Sequence, residues 1–233
     1  NEFFQSMWQT LRTDGYWAGE IWDKRKDGSE YPKWVHIDTI RDREARISHF
    51  VAVFSDISER KASEERIRYL AQHDALTGLP NRFTLAVHLE HALARAERAG
   101  EKVGLMFIDL DNFKTVNDTL GHPIGDLLLC EVARRITSAV RKSDIVARIG
   151  GDEFVVVLES AHLPGDAGTV AQKILERMSA AVPVDGNDLH TTPSIGIAIY
   201  PDDGASSEDL MRNADVAMYH AKSAGRNNYQ FYA

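Results

Sequence analysis

Runs of β-branched and aromatic residues predict three strands early in the chain, at residues 16–25, 30–40 and 47–54. The second run alternates between apolar and polar positions, as in a strand with one buried face. We therefore interpret residues 1–56 as strands. Three antiparallel strands bury too little surface to form a core of their own, so we expect this segment to be part of something larger.

The pattern changes to helix-favouring, charged residues at residues 57–74. The apolar positions Ile67, Leu70 and Ala71 follow the i, i+3, i+4 spacing of one helix face. This apolar stripe is narrow, as in the seam of a coiled coil. We predict a linking helix that pairs with its copy in a second chain. The alternative is a solvated spacer.

From residue 74 onward, helix-like and strand-like patterns are mixed. The apolar run at residues 103–110 is almost continuous, which predicts a central strand that delivers Asp109 to its end. Mixed elements of this kind indicate an α/β fold with a sheet covered by helices. We expect helices at 82–99, 124–140, 169–180 and 207–222, further strands at 192–200 and 228–232, loops at 73–82 and 163–168, and a turn at 201–204.

Residues 145–158 consist of two β-rich runs on either side of Gly150-Gly151, which predicts a hairpin with a tight turn at the two glycines. Asp152 and Glu153 follow at its tip. Two adjacent carboxylates repel each other, and a hard divalent cation such as Mg²⁺ would remove that repulsion. The alternative is a solvated acidic turn.

The composition narrows the possible partners. The 233 residues carry a formal net charge of −8, which disfavours nonspecific binding to nucleic acid. The single cysteine, Cys130, excludes an internal disulfide and fits a reducing compartment. No apolar run is long enough to span a membrane, and no signal peptide is visible. We expect a cytoplasmic protein without a membrane segment in this chain.

Residues 15–61, which contain "GYWAGEIWDKRKDGSEYPKWVHIDTIRD" and "FVAVFSDISERK", resemble the C-terminal half of a PAS sensor domain. The half that completes the ligand pocket in that family is missing, so we expect a fragment of a longer protein. The resulting division is a partial PAS domain at 1–56, a linker helix at 57–73 and a second domain at 74–233.

The second domain resembles the GGDEF family of diguanylate cyclases. The matching motifs are "DALTGLPNR", "FIDLDNFKTVND", "GHPIGDLLL", "RKSD", "RIGGDEF", "SIGIAIYPDDG" and "YHAKSAGRN". The resemblance implies a mixed central sheet flanked by helices, like nucleotide cyclases and polymerase palm domains. It also implies that two GTP molecules condense into cyclic di-GMP and two pyrophosphates, in a homodimer with two Mg²⁺ or Mn²⁺ ions per active site.

The resemblance also assigns roles to the acidic residues. It implies metal ligands at Asp109, the Leu110 carbonyl, Asp152 and Glu153. Such ions would clamp the triphosphate and activate a ribose 3′-hydroxyl. Asp152 is in addition the candidate for helping to deprotonate that hydroxyl. We expect Asp111 to face away and to matter least among these acids.

Three basic residues are the candidate phosphate ligands. Lys114 follows Asp109 closely enough to reach the β and γ phosphates and is also a candidate catalytic residue. Lys222 and Arg226 are four residues apart, and we place both at the end of one helix. The alternative for this pair is a set of C-terminal charges that complement the helix dipole.

Guanine recognition falls to Asn117 and Asp126. A carboxylate accepts from the N1–H and amino groups of guanine, and an amide can donate to its acceptor edge. Adenine would leave the carboxylate unpaired, so GTP would be selected. Alternatively, Asp126 is a helix N-cap after Gly125. His122 and Phe113 complete the candidate substrate contacts.

Three further features follow from comparison with the family. Arg141 and Asp144 precede the glycines as an Arg-x-x-Asp motif, similar to the inhibitory site for cyclic di-GMP; the alternative is an exposed, mixed-charge turn. The final "YQFYA" resembles the junction to a phosphodiesterase EAL domain, so a non-catalytic GTP-binding regulatory domain is an alternative function. Pro193 departs from the family pattern and predicts an edge or bulge at the strand start.

Overall fold

The computed structural model describes residues 2–159, 165–184 and 187–233. The chain divides into two compact units, Asn1–Tyr69 and Leu70–Ala233. The boundary lies inside one helix, close to the predicted domain start at residue 74. Each unit is described separately below.

The first unit contains one more helix than the sequence pattern indicated. Its elements are α1 (Glu2–Thr13), β1 (Tyr16–Lys24), β2 (Glu30–Arg41), β3 (Ile47–Asp56) and the start of α2 (Ser58–Gln72). The strands pair antiparallel in the order β1-β2-β3, which confirms the three predicted strands. The interpretation of the whole of residues 1–56 as strands is wrong for residues 2–13, which form α1.

Helix α1 forms because its apolar residues repeat at helical spacing. Met7 and Leu11 lie one turn apart and are 6% and 0% exposed. Trp8 contacts Phe50 of β3 edge to face, with ring centroids 5.2 Å apart. Helix α1 therefore packs against the sheet through this apolar face, and the helical spacing of its residues was not recognised in the sequence.

Helix α2 confirms the predicted linking helix. Its start is fixed by Asp56, whose side chain accepts from the Ser58 amide at 2.9 Å. Within the described chain, no residue of α2 is buried, and Ile67 and Leu70 are 68% and 38% exposed. The predicted apolar stripe therefore lies on the surface.

The second unit contains a helix-covered mixed sheet, as predicted. Five of its described strands form a sheet in the order β10-β9-β4-β6-β5, with β10 parallel to β9 and the other pairs antiparallel, and β7 and β8 pair separately. The elements are α3 (Arg82–Ala99), β4 (Val103–Leu110), α4 (Phe113–Leu120), α5 (His122–Ala139), β5 (Ile145–Gly150), β6 (Glu153–Glu159), α6 (Gly165–Ser179), β7 (Val182–Val184), β8 (Asn187–Leu189), β9 (Pro193–Tyr200), α7 (Ser207–Ser223) and β10 (Tyr229–Phe231).

Strand β4 lies at the centre of this sheet, and every one of its residues is buried. Its side chains alternate between two apolar clusters. Met106 and Ile108 pack with residues of α5 and α6, whereas Leu105 and Phe107 pack with α3 and α7. A strand covered on both faces reads as a continuous apolar run, which explains why the sequence identified it.

Several boundaries differ from those predicted. Helix α4 and the short β7–β8 hairpin were not predicted, because both are too short to show a clear period. Helix α5 begins at His122, two residues early, since Pro123 is compatible with a first helical turn. Helix α6 begins at Gly165, inside the loop predicted at 163–168. The first two residues of that loop lie outside the described residues.

The predicted edge at the strand start is confirmed for Pro193, although β9 as a whole is not an edge strand. Strand β9 is internal, because it pairs with β4 on one side and β10 on the other. The ladder with β10 begins only at Ile195, while Pro193 itself is paired with Leu110 of β4. The missing proline N–H therefore falls where β9 is paired on one side.

None of the helices in the described residues is long and apolar enough to cross a membrane.

Candidate functional site

The candidate acids meet where β4 ends beside the hairpin β5–β6. Asp109 is paired directly with Glu153 in the antiparallel ladder between β4 and β6. Such partners have Cβ atoms about 4.5–5.5 Å apart. The Leu110 amide donates to the Asp152 carbonyl oxygen at 3.3 Å, which fastens the hairpin tip to the end of the central strand. The sheet thus brings together residues more than forty positions apart in sequence.

The hairpin turn lies one residue later than predicted. Gly150 is paired with Glu153, so the two-residue loop consists of Gly151 and Asp152. Gly151 adopts a left-handed φ of 51°, which disfavours a side chain there. A register irregularity between Arg148 and Gly150 accounts for the shift, because one extra residue is accommodated in β5. The turn therefore carries Asp152 at the tip and leaves Glu153 in the strand.

The ligand-free site disfavours negative charge. Burial raises the pKa of Asp109, and the Asp152 charge adds to this, while a hydrogen bond from Lys222 opposes it. Burial also raises the pKa of Glu153, with the charges of Asp109 and Asp152 acting in the same direction. A cation placed among these carboxylates would stabilise their ionised forms.

The donor set suits an ion that is shared with a phosphate ligand. No three His, Cys, Asp or Glu side chains among the described residues are placed to hold a metal ion by themselves, so the predicted convergence of three carboxylates is only partly realised. Magnesium at nucleotide sites usually takes one or two carboxylates and completes its shell with phosphates and water. Asp109, Glu153 and the Leu110 carbonyl fit that pattern.

Three basic side chains line the cleft beside these acids. The cleft has a volume of about 170 Å³, and its lining includes Lys114, Lys222 and Arg226. Lys222 lies on α7, and its Nζ is 2.8 Å from Asp109 Oδ1. The prediction that Arg226 lies on the same helix is wrong. Helix α7 ends at Ser223, and Arg226 follows it in a left-handed conformation with φ of 64°. The cleft thus combines anionic and cationic groups.

The two guanine candidates lie on neighbouring helices. Asn117 is on α4, and Asp126 is an exposed residue inside α5. Because α5 begins at His122, the alternative interpretation of Asp126 as an N-cap is wrong. A Cβ atom on Gly125 would lie 1.9 Å from the Asn117 side-chain oxygen, so a larger residue here would displace the Asn117 amide. In the described structure that oxygen is buried without a hydrogen-bond partner.

The two remaining substrate candidates have different environments. His122 is exposed at the first residue of α5. Phe113 is only 7% exposed and packs in the apolar cluster, although it also borders the cleft. Packing in this apolar cluster is a sufficient reason for a phenylalanine at position 113, whether or not a ligand binds. Both substrate contacts remain predictions.

Arg141 and Asp144 form a turn between α5 and β5. The Arg141 amide donates to Asp144 Oδ2 at 2.8 Å, and the Asp144 amide donates to the Arg141 carbonyl at 3.1 Å. The Arg141 side chain is 69% exposed, with Asp166 3.9 Å away. The motif is therefore accessible to a ligand and at the same time serves as a turn, so both sequence interpretations remain open.

The structure adds an ion pair that sequence reasoning did not connect to the site. Arg148 donates to both carboxylate oxygens of Asp74, at 2.9 and 3.0 Å, and to the Gly151 carbonyl at 2.7 and 3.0 Å. Its side chain is 10% exposed. Arg148 thus fixes the hairpin tip to the loop that precedes α3. The motif "DALTGLPNR" supplied the only sequence signal, since the partners are 74 residues apart.

The same loop also holds the C-terminal end of α2 by hydrogen bonds. The Asn81 side chain caps α3 by accepting from the Thr84 amide at 3.0 Å and donates to the Ala71 carbonyl at 2.9 Å. The Asn81 amide donates to the Gln72 carbonyl at 3.0 Å. The last turn of α2 is therefore held by the loop that carries Asp74.

A family model described as "Diguanylate cyclase, GGDEF domain" matches residues 71–228. The chain belongs to the GGDEF family. The match covers the second unit almost completely and includes the acidic hairpin, the cleft and the Arg141 turn. Membership confirms the family resemblance of the sequence motifs and the predicted fold.

Relatives of this GGDEF domain have different named activities. The chain is 50% identical over 172 residues to the bifunctional diguanylate cyclase/cyclic di-GMP phosphodiesterase MucR of Pseudomonas aeruginosa, which covers 74% of this chain and 25% of that protein. It is 38% identical over 194 residues to the cyclic di-GMP phosphodiesterase NbdA of the same organism. This match covers 83% of this chain and 24% of that protein. The chain thus spans about a quarter of the length of these relatives.

A solved GGDEF domain has the same fold. The GGDEF domain of TpbB (YfiN) from Pseudomonas aeruginosa superposes with a TM-score of 0.68 at 41% sequence identity. The match covers 69% of this chain and 94% of that domain. The unmatched part of this chain corresponds in size to the first unit, whose resemblance to a PAS domain remains a prediction.

Proposed function

We propose that this chain is a diguanylate cyclase, which condenses two GTP molecules into cyclic di-GMP and two pyrophosphates. The observation that carries the proposal is the direct pairing of Asp109 with Glu153 beside a cleft lined by Lys114, Lys222 and Arg226. Carboxylates for a divalent ion and cations for a triphosphate are the two requirements of phosphoryl transfer. The diguanylate cyclases among its relatives support the same reaction.

The reaction forms two phosphodiester bonds in the same way. In each, the ribose 3′ oxygen of one GTP bonds to the α-phosphorus of the other, and the bond from that phosphorus to the β-phosphate oxygen breaks, which releases pyrophosphate. Asp152 accepts the proton of the attacking hydroxyl. Lys114, Lys222 and Arg226 bind the β and γ phosphates and stabilise the departing pyrophosphate.

We assign the ion-binding groups to Asp109, Glu153, Asp152 and the Leu110 carbonyl. Two Mg²⁺ or Mn²⁺ ions, when bound, supply charge that acidifies the 3′-hydroxyl and stabilises the α-phosphorus as negative charge builds there. The raised pKa values of Asp109 and Glu153 support this role, because a divalent cation would relieve the carboxylate repulsion. Lys222 would then exchange its contact with Asp109 for a phosphate oxygen.

Guanine selection follows from Asn117 and Asp126, with His122 and Phe113 at the border of the same site. The exposed Asp126 carboxylate can accept from two guanine donors. The Asn117 side-chain amide can donate to the acceptor edge of guanine, while its oxygen is buried against Gly125. Adenine would offer Asp126 no such pair of donors, and selectivity for GTP results.

The active species is a homodimer in this proposal. One GGDEF domain presents one set of acids, whereas the reaction needs two GTP molecules that face each other. The exposed Ile67 and Leu70 on α2 support pairing of this helix with its copy in a second chain. The strand order β1-β2-β3 likewise agrees with the proposed partial PAS domain at residues 1–56.

The direct test is mass spectrometry of the chain incubated with GTP and Mg²⁺ over a range of protein concentrations. We expect cyclic di-GMP, with a rate per mole of chain that rises with concentration as dimers form. The rival is a non-catalytic GTP-binding regulatory domain of a larger GGDEF–EAL phosphodiesterase, which the NbdA relationship favours. Binding of GTP without product would establish that rival. Absence of any nucleotide binding would favour a structural dimerisation module.

Product inhibition gives a first specific prediction. We expect Arg141→Ala to raise the inhibition constant of cyclic di-GMP at least about tenfold, because one charged hydrogen bond contributes roughly 1.5–3 kcal/mol. Turnover at the start of the reaction should be unchanged. Arg134→Ala is a matched control, since both arginine side chains are 69% exposed near the end of α5. An unchanged inhibition constant would remove the inhibitory role of Arg141.

Arg148 gives a second prediction. We expect Arg148→Gln to lower turnover at least about tenfold and to raise the Mg²⁺ concentration needed for half-maximal rate, because the hairpin tip loses its two-sided anchor. Measurements should be made well below the unfolding temperature of the variant. Arg95→Gln is the control, since Arg95 pairs with Glu159 at the opposite end of β6. Equal Mg²⁺ requirements in all three proteins would show that Arg148 does not position the tip.

A further inference from the structure

Asp111 is the most deeply buried carboxylate near the cleft, with a side chain only 1% exposed. Its Oδ1 accepts from the Ser194 hydroxyl and its Oδ2 from the Thr192 hydroxyl, both at 2.7 Å. The Asp111 amide donates to the Thr192 carbonyl at 2.8 Å. The carboxylate bonds to β9, but it also borders the cleft and its charge contributes to the raised pKa of Asp109, so the expectation that Asp111 faces away is only partly met.

The same carboxylate reaches the turn that follows α7. The Asn227 amide donates to Asp111 Oδ2 at 3.2 Å, and Arg226 Nε lies 3.9 Å from Oδ1. Arg226 and Asn227 have φ values of 64° and 50°, so two consecutive non-glycine residues are left-handed. Each such residue costs on the order of 1 kcal/mol or more, and neighbouring contacts must hold it in place.

Asp111 supplies two of the contacts that hold this turn, beside the hydrogen bonds from the Arg226 amide to the Ala221 carbonyl at 3.2 Å and from the Asn228 side chain to the Arg226 carbonyl at 2.8 Å. Its negative charge faces the Arg226 guanidinium, and its oxygen binds the next amide in the chain. Arg226 also borders the 170 Å³ cleft that contains Asp109 and Lys222. If the turn relaxed to an ordinary backbone conformation, the guanidinium would leave the cleft.

We propose that Asp111 is a positioning residue that holds the Arg226–Asn227 turn in its left-handed form and thereby directs Arg226 at the substrate phosphates. The assignment of phosphate to Arg226 rests on the proposed function. The anchoring of the turn itself does not, because it depends only on contacts within the ligand-free chain. Asp111 acts on the substrate through Arg226 and has no role as a metal ligand.

A double-mutant cycle tests the coupling. The affinity for a non-hydrolysable GTP analogue with Mg²⁺ is measured by calorimetry for the wild type, Asp111→Asn, Arg226→Gln and the double variant. Each single change should weaken binding about tenfold, as expected for a charged hydrogen bond. The double variant should bind as weakly as Arg226→Gln. The proposal would be overturned if the fold-loss of affinity in the double variant equalled the product of the losses in the two single variants, or if Asp111→Asn bound the analogue as tightly as the wild type.

The Mg²⁺ dependence of analogue binding distinguishes positioning from metal ligation. We expect the same Mg²⁺ requirement in Asp111→Asn as in the wild type, and a shifted requirement would make Asp111 a metal ligand. The control is Asp118→Asn, a change at an exposed carboxylate on α4, which should leave affinity and Mg²⁺ requirement unaltered.

Hydrogen exchange in the ligand-free protein tests the anchor independently of nucleotide. We expect the Asn227 amide to exchange at least about tenfold faster in Asp111→Ala than in the wild type, since it loses its acceptor. The amides of β4 should remain protected, which shows that the variant is folded. Unchanged exchange at Asn227 would overturn the anchoring role. If the wild type binds no nucleotide, the proposed function fails, and the exchange result still decides the role of Asp111.

Discussion

Glu153→Gln should reduce formation of cyclic di-GMP by more than about 100-fold, because changes to groups that merely support a metal ligand already cost 10–100-fold. Glutamine keeps the length of the side chain and removes the charge that an ion needs. The measurement is initial rate at saturating GTP and Mg²⁺. Glu153→Ala should have at least as large an effect.

The stability of Glu153→Gln separates loss of chemistry from loss of fold. The pKa of Glu153 is raised above its usual 4.5 in the folded state, so ionised Glu153 destabilises the ligand-free protein at neutral pH. We expect the variant to unfold at an equal or higher urea concentration than the wild type at pH 7. The difference should disappear below pH 4.5, where the carboxyl is neutral in both states.

A matched substitution provides the control. Glu159→Gln lies at the other end of β6, where its carboxylate pairs with Arg95 on the surface. Its turnover should be that of the wild type. Comparable turnover in Glu153→Gln and Glu159→Gln would end the assignment of Glu153 as an ion ligand.

Gly196→Ala should destabilise the second unit by at least about 3 kcal/mol, at the upper end of what overpacking costs. A Cβ atom at this position would lie 2.0 Å from the Ala214 carbonyl oxygen and 2.1 Å from the Met218 nitrogen. Both atoms belong to the backbone of α7, which cannot rotate away as a side chain can. Urea unfolding followed by circular dichroism gives the free energy of unfolding directly.

Gly168→Ala is the control for this prediction. It makes the same change in helix α6, where a Cβ atom would have its nearest neighbours at an ordinary 3.5–3.8 Å. Alanine in a helix is favoured over glycine by roughly 0.5–1 kcal/mol, so this variant should be as stable as the wild type or more so. If Gly196→Ala unfolds at the same urea concentration as Gly168→Ala, helix α7 does not pack against β9 as closely as described.

Much of the fold could be predicted because its signals are local. The run at residues 103–110 is apolar almost without interruption, and that property alone identifies a strand covered on both faces. Helix α3 was found with both ends correct, since Asn81 caps its start and the left-handed Gly100 ends it. Helix α1 was missed although Met7 and Leu11 follow helical spacing, because residues 1–56 were interpreted together as strands.

The site was predictable only in part. Glycine spacing located the acidic hairpin, but the loop shifted by one residue because β5 carries an irregularity that no local pattern shows. The contact of Arg148 with Asp74 and that of Asp111 with Asn227 join residues 74 and 116 positions apart. Such contacts depend on how the strands are ordered in the sheet, which local sequence does not specify.

The bonds around Asp74 have a mechanical consequence. The Asn81 amide donates to the Gln72 carbonyl at 3.0 Å, and Arg148 donates to the Asp74 carboxylate at 2.9 and 3.0 Å; such contacts cease to be hydrogen bonds beyond about 3.5 Å. The end of α2 therefore has little more than half an ångström of slack before this chain of contacts must rearrange. A torque applied to that helix would be passed to β5 and Gly151 through two links, the Arg148 guanidinium and the hydrogen bond from the Arg148 amide to the Pro80 carbonyl at 3.0 Å.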